Sequence, residues 1–258
     1  MMPEGEALQA PGRRAGPATR AQAEFVRQVA RFRQAARGLV PRLCPICGHE
    51  GLFTAYGQPP RFDARCPRCG ALERHRLFKL WMDREAPFAK GHAVLHFAPE
   101  RQLAPLVRAA VGRYETADLS EKREVTHRVD ICGTGLPGAS FDRIVCNHVL
   151  EHVDDRRALA EIFRLLAPGG LAVLSTPIVE GWATTHEDAA VTSPQERLVQ
   201  FGQSDHLRLY GRDLRDRIRG AGFALAEITA REPDVRIHGL QRGETLFLAS
   251  KPIPEESA

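Results

Sequence analysis

From Gly91 onward the 258-residue chain alternates short apolar runs with stretches of 3.6-residue apolar period, and this alternation constrains the fold more than any other feature. The runs AVLHFA, RYETADL, HRVDI, FDRIVCNHVL, LAVLSTPI, FALAEITA and ETLFLAS read as strands. Between them, RQLAPLVRAAV carries Leu103, Leu106, Val107 and Ala110 on one helical face. Asp154 and Asp155 start a second helix through Leu159, Ile162, Phe163 and Leu166, which is expected to stop at Pro168, Gly169 and Gly170. RDLRDRIRGAG is a third. Such alternation predicts a mostly parallel sheet with helices on both faces.

Ahead of this block stand CPICG and CPRCG, in which Cys44 and Cys47 are separated from Cys66 and Cys69 by eighteen residues. The glycine after each pair lets the chain turn so that both thiolates face one ion. Four cysteines at tetrahedral reach select zinc in a closed, structural site that folds residues 41–70, and a dithiol redox pair is the alternative. Cys146, inside an apolar run, reads as a small buried hydrophobe. Arg61, Arg65, Arg68, Arg74, Arg76 and Lys79 give the module a basic character, either a solvated face or a platform for RNA or a phosphorylated substrate.

The expected organisation has three parts. Residues 1–40 hold a mobile start, rich in Ala, Gly, Pro and Arg, then an amphipathic helix on Phe25, Val29, Phe32 and Leu39. Residues 41–90 hold the ribbon and a linking helix, ALERHRLFKLWMDREA; residues 91–258 hold the α/β domain. The segment VEGWATTHEDAAVTSPQERLVQFGQSDHLRLYG reads as a long irregular loop, hence a lid or binding surface. No stretch approaches the roughly 20 apolar residues of a membrane span, and the start lacks a signal-peptide core, so a cytoplasmic location with no membrane partner is expected. The formal charge of +4 permits an anionic partner without requiring one.

An open sheet of this kind binds ligands beyond the carboxyl ends of its first strands. Asp118 ends the second strand twenty positions after Ala98, the spacing at which an acid reaches ribose hydroxyls, although it could instead cap the following turn. Asp130 and Ile131 end the third strand, where a carboxylate, a backbone NH and an apolar side chain can hold an adenine ring.

LPGASFDRIVCNHVLEHVDDRRALAEIFRLLAPGGLAVLSTP resembles the class I S-adenosylmethionine-dependent methyltransferases, in particular the type 11-like group, over about residues 91–258. The phrases ERHRLFKLWM and FGQSDHLRLYG are similar to a subgroup of bacterial methyltransferases with an N-terminal zinc ribbon. The resemblance implies a Rossmann-like, mostly parallel seven-stranded sheet. It implies that His96, Ala98 and Glu100 border the methionine part of the cofactor, that Asp118 with Leu119 takes the ribose side, that Asp130 and Ile131 take the adenine, and that Asn147 and His148 floor the sulfonium. The sequence departs from the group in one place. HFAPE stands where ExGxGxG is usual, so the loop must turn without glycine, and Glu100 is expected to replace the acid that meets the cofactor's ammonium group.

Methyl transfer from a sulfonium needs alignment and exclusion of water, and a base where the acceptor is a hydroxyl or a protonated amine. His206, among Asp205, Arg208 and Tyr210, is the first candidate base; His148 is the second, with cofactor packing as its other reading, and His152 reads as satisfying a helix start. The expected reaction is in-line transfer to an O or N nucleophile of a small-molecule or sugar-like acceptor. RNA methylation through the ribbon and an inactive cofactor-binding scaffold are the alternatives.

Overall fold

The computed structural model describes residues 22, 24–28, 38, 40–57, 59–121 and 123–254. The expected mobile start lies outside the described residues, as does most of the expected amphipathic helix. Its described part, residues 24–28, is helical, with Phe25 and Val26 exposed.

Two small antiparallel pairs form the ribbon: β1 (Arg42–Leu43) with β2 (Glu50–Gly51), and β3 (Thr54–Tyr56) with β4 (Arg61–Arg65). Helix α1 (Glu73–Glu85) follows, and its Leu77, Phe78, Leu80 and Trp81 are buried against the sheet that comes next. Arg76, with no exposed surface, joins the parts. Its Nη1 donates to Ala64 O and Ala71 O, its Nη2 to Asp63 O and Gly239 O, and its guanidinium lies 4.8 Å from the Phe53 ring centroid. Carbonyls of the ribbon and of a distant loop thus share one cation, which offsets the cost of burying it.

The main sheet runs through β5 (Ala93–Phe97), β6 (Arg113–Asp118), β7 (His127–Arg128), β8 (Phe141–Asn147), β9 (Leu166–Ser175), β12 (Ala224–Thr229) and β13 (Thr245–Ser250), in spatial order β12-β13-β9-β8-β5-β6-β7. β5 pairs in parallel with both β6 and β8; only β13 runs antiparallel to its neighbours β9 and β12. Chain order therefore reverses between β5 and β8, the point at which open sheets bind ligands. β8 is central. Ile144 and Cys146 pack into one core layer and Val145 into the other, so an unbroken apolar run is what this position requires.

Helices α2 (Ala104–Ala110) and α3 (Asp155–Leu165) cover the two faces. Asp154 caps α3 by accepting from the Arg157 N–H at 3.1 Å. α3 ends three residues before Pro168 rather than at it. Leu166 already pairs with Phe141, and residues 167–170 form a bulged start to β9, with Gly169 at φ +75°.

The segment expected to be irregular is largely ordered: β10 (His186–Glu187) pairs with β11 (Arg208–Leu209), and α4 (Pro194–Phe201) lies between them, opened by a Ser193–Glu196 capping box. Arg208 clamps it to the sheet edge by donating to Leu150 O and Val153 O, and Tyr210 Oη donates to Leu150 O and Asp155. Helices α5 (Leu214–Gly220) and α6 (Asp234–His238) complete the described chain. Among the described residues no helix is long and apolar enough to cross a membrane.

Candidate active site

The loops at the carboxyl ends of β5 and β8 carry two non-glycine residues in the left-handed region, Ala98 at φ +45° and His148 at φ +52°. Each such residue costs about 1–2 kcal/mol, and strain of this kind gathers where a site needs a turn that ordinary geometry refuses. Ala98 donates its N–H to Ala117 O at 2.8 Å, and His148 donates to Ser175 O at 2.7 Å. HFAPE thus turns through a strained alanine in place of glycine.

Glu100, two residues on, is held by three side chains from two elements, α1 and β8. Its Oε1 accepts from Arg74 Nε at 2.9 Å and from His75 Nε2 at 2.7 Å, and its Oε2 accepts from Asn147 Nδ2 at 3.0 Å. His75 Nδ1 accepts the Leu72 N–H at 3.1 Å, which fixes the neutral tautomer that donates through Nε2. Burial alone would raise the Glu100 carboxyl, but the His75 and Arg74 donors hold it well below the usual carboxylate range. Asn147 extends the chain by accepting from Ser175 Oγ at 3.0 Å, so one carboxylate ties α1, β5, β8 and β9 together.

The other expected cofactor residues line the same edge of the sheet. Asp118 Oδ1 accepts the Ser120 N–H at 2.8 Å and Oδ2 lies 3.3 Å from Arg123, so the turn-capping alternative is realised and a ribose would compete with Arg123. Leu119 is two-thirds exposed beside it. Asp130 Oδ1 accepts from the Cys132 N–H at 2.8 Å, and Ile131 is buried. His96 differs from expectation. It is fully buried, with Nδ1 2.9 Å from Tyr114 Oη and Nε2 unpartnered, and burial lowers its pKa to about 4. A side chain with no exposed surface does not border a ligand in this conformation; it supports the loop from beneath.

Beyond β8 and β9 a cavity of about 400 Å³ opens, lined by Arg61 of the ribbon, Glu73 and Arg74 of α1, His148, residues 176–178, and the 241–245 loop. Of the expected lid, residues 179–211, Glu180 joins this lining. Arg61 is tied to Glu73 at 2.9 Å, Arg74 to Glu100, and Arg242 to Glu232 at 2.5 Å. Glu244 is different: its carboxyl makes no hydrogen bond or ion pair among the described residues, and burial pushes its pKa up against the pull of His148 and the arginines. The sequence marks Arg74 only as part of the module's basic character. His75 stands in a helix whose pattern reads as packing, and nothing around Glu244 in the sequence marks it.

Of the two candidate bases, His148 lines the cavity, with Nδ1 3.2 Å from Glu151 Oε1. His206 does not line it. Nearly buried, it packs on the His152 ring at 4.8 Å and donates Nδ1–H to Phe201 O at 3.2 Å, and burial lowers its pKa. A base must reach the acceptor's atom, and of the two His148 is the one that lines this cavity.

In the ribbon the four cysteine sulfurs converge. Cys44 Sγ lies 3.6 Å from Cys69 Sγ and Cys47 Sγ 3.7 Å from Cys66 Sγ, and all four fall within 4.8 Å of one another. Sulfurs about 2.3 Å from a tetrahedral zinc stand about 3.8 Å apart, so the site fits that ion. Gly48 and Gly70, at φ +69° and +73°, donate N–H to Cys44 O and Cys66 O and form the two knuckle turns. Cys146 is fully buried and its thiol is pushed up by burial, as its apolar setting implies.

Comparison with known proteins agrees with this fold. Residues 89–228 match the family described as a methyltransferase domain. A stretch of 82 residues is 37% identical to a protein of Mycolicibacterium smegmatis named "Probable S-adenosylmethionine-dependent methyltransferase", covering 29% of this chain and 32% of that one; the chain matches about a third of that relative's length. Among solved structures, the cyclase SpnF shares the fold at a TM-score of 0.50 and 16% identity, over 70% of this chain and 82% of that one. A methyltransferase from Mesorhizobium loti is similar at 0.47 and 20% identity, over 66% and 96%. With its sheet order, its strained loops at the β5–β8 switch and a family match over more than half its length, the chain belongs to the methyltransferase domain family, of the class I, S-adenosylmethionine-dependent kind.

Proposed function

We propose that the chain transfers a methyl group from S-adenosylmethionine to an oxygen or nitrogen of a small acceptor held in the cavity between the ribbon and the 241–245 loop. The observation that carries this reading is the cavity itself, which meets the cofactor edge of the sheet at His148 and is walled by the ribbon's Arg61. On this reading the cofactor lies along Ala98, Glu100, Asp118, Leu119, Asp130, Ile131 and Asn147, and His148 takes the acceptor's proton. Zinc at Cys44, Cys47, Cys66 and Cys69 holds the ribbon against the domain. Fold alone does not set chemistry, as the cyclase neighbour illustrates, so the acceptor cavity bears the weight.

Calorimetry should give one S-adenosylmethionine site per chain, weakened about tenfold or more in Asp118→Asn, the scale of a lost charge-assisted hydrogen bond. His148→Ala should bind the cofactor yet form no S-adenosylhomocysteine in the presence of acceptor. Unchanged cofactor affinity in Asp118→Asn would remove the assigned cofactor edge. RNA methylation draws on a separate feature: the ribbon exposes Phe62 and Tyr56 as well as Arg65 and Arg68, rings able to stack and positive charge in one small module. Salt-dependent binding of single-stranded RNA that falls in Phe62→Ala would favour it.

A further inference from the structure

Glu151 is the most confined carboxylate at this edge of the sheet, with about 1% of its surface exposed. Its Oε2 accepts from Thr176 Oγ1 at 2.8 Å, but its Oε1 is buried without a hydrogen bond; His148 Nδ1 approaches to 3.2 Å outside hydrogen-bonding geometry. A buried carboxylate oxygen left open on one side is costly unless a cation or donor meets it.

Two further imidazoles stand within reach of this carboxylate. His206 is fixed through Nδ1 to Phe201 O at 3.2 Å, and His152 through Nδ1 to Asp205 O at 3.2 Å. Anchoring of one ring nitrogen by a backbone carbonyl leaves the lone pair of the other available, the usual arrangement behind a metal-bound histidine. One ligand atom from each of Glu151, His152 and His206 lies within 4.8 Å of the other two. Ligands about 2.1 Å from a tetrahedral ion stand about 3.4 Å apart, so the widest gap must close by up to about 1.4 Å. His152, on the rim with 28% of its side chain exposed, has the freedom to close it.

We infer that Glu151, His152 and His206 form a second metal site, distinct from the four cysteines, for a divalent transition-metal ion. Two imidazole nitrogens and one carboxylate oxygen suit zinc, iron(II), manganese or cobalt, and a three-ligand set leaves positions for water or for an oxygen of a bound molecule. Thr176 and His148, both against Glu151, line the acceptor cavity, so the ion sits directly behind the cavity wall. This places His206 in the site by a route other than proton abstraction. The inference does not depend on methyl transfer.

The test uses the full chain with its ribbon loaded with zinc, titrated with cobalt(II) as the probe. The expected result is one further equivalent of cobalt with visible bands of nitrogen and oxygen ligation and no thiolate charge-transfer band. That equivalent should weaken at least tenfold in His152→Ala and in Glu151→Gln. His152→Ala changes a rim side chain, and S-adenosylmethionine affinity checks that each variant is folded. Cobalt uptake no greater than the ribbon accounts for, or uptake unchanged in folded His152→Ala, would overturn the site. Failure of cofactor binding in wild type would instead count against the methyltransferase reading and leave this result standing.

Discussion

Glu100 and Glu244 are two carboxyls drawn into the same end of one sheet, and their surroundings drive them in opposite directions. Glu100 meets Arg74, His75 and Asn147 and is held ionised; Glu244 meets only distant charges and burial favours its protonated form. The first is spent on structure, pinning α1 to the β5 loop. The second is unspent and faces the cavity. Acids pushed apart in this way mark which one is free for an acceptor and which one frames the site.

One side of the cavity stands on the ribbon's Arg61 and on Glu73 and Arg74 of α1, so the largest effect should follow from removing the ribbon's support. Cys44→Ser with Cys66→Ser should abolish one bound zinc per chain and a folding contribution on the order of 10 kcal/mol for the module. Trp81, buried between Phe78 and Phe88, should then shift its fluorescence to the red as α1 loosens. A zinc-free variant with Trp81 still buried would show that this side of the cavity does not depend on the metal.

Next in size is Glu100→Ala, which leaves Arg74, His75 and Asn147 without their acceptor and should cost about 2–3 kcal/mol by urea unfolding. The pH dependence sharpens the contrast. Because the Glu100 carboxyl is depressed on folding, its contribution is present above the unfolded pKa and lost as pH falls through the folded one. Wild type and Glu100→Gln should therefore converge toward acid. Glu244 is raised on folding, so wild type loses stability as pH rises from the unfolded to the folded value. Glu244→Gln should recover about 0.5–1 kcal/mol at pH 7 and nothing at acid pH, while impairing acceptor turnover. Parallel pH curves for the two variants would dissolve the comparison.

The smallest effect concerns the strained turn that brings Glu100 into place. Ala98→Gly should change stability by less than about 1 kcal/mol, since relief of the left-handed alanine offsets the entropy of glycine. Ala98→Val should cost about 1–2 kcal/mol more than Ala98→Gly, because a branched side chain tolerates that φ worst. Equal thermal midpoints for all three would mean that the turn at Ala98 relaxes.

The order of strands and helices was legible from residue 91 onward because burial imposes periods of 2 and 3.6 on apolar side chains, and the β8 run shows this at its clearest. The four cysteines were legible because the ion they fit demands fixed ligand types at a fixed local spacing. Asp118 ends β6 as its place in the sequence implies, whereas Asp130 lies two residues beyond β7. The rest was settled by contacts between residues far apart in the chain, which leave no local pattern. Arg74 and His75 meet Glu100 across 26 and 25 positions, and Glu244 reaches the cavity only because β13 runs antiparallel to β9 and presents its first residues at the carboxyl ends of the others. The rank of His206 against His148 was decided the same way. Both are polar residues near the family's motifs, but only packing determines which ring opens onto a cavity and which is sealed beneath it. Local physics in this sequence determined the elements and the four-cysteine ribbon, and the tertiary structure alone decided which buried charges are paired and which are not.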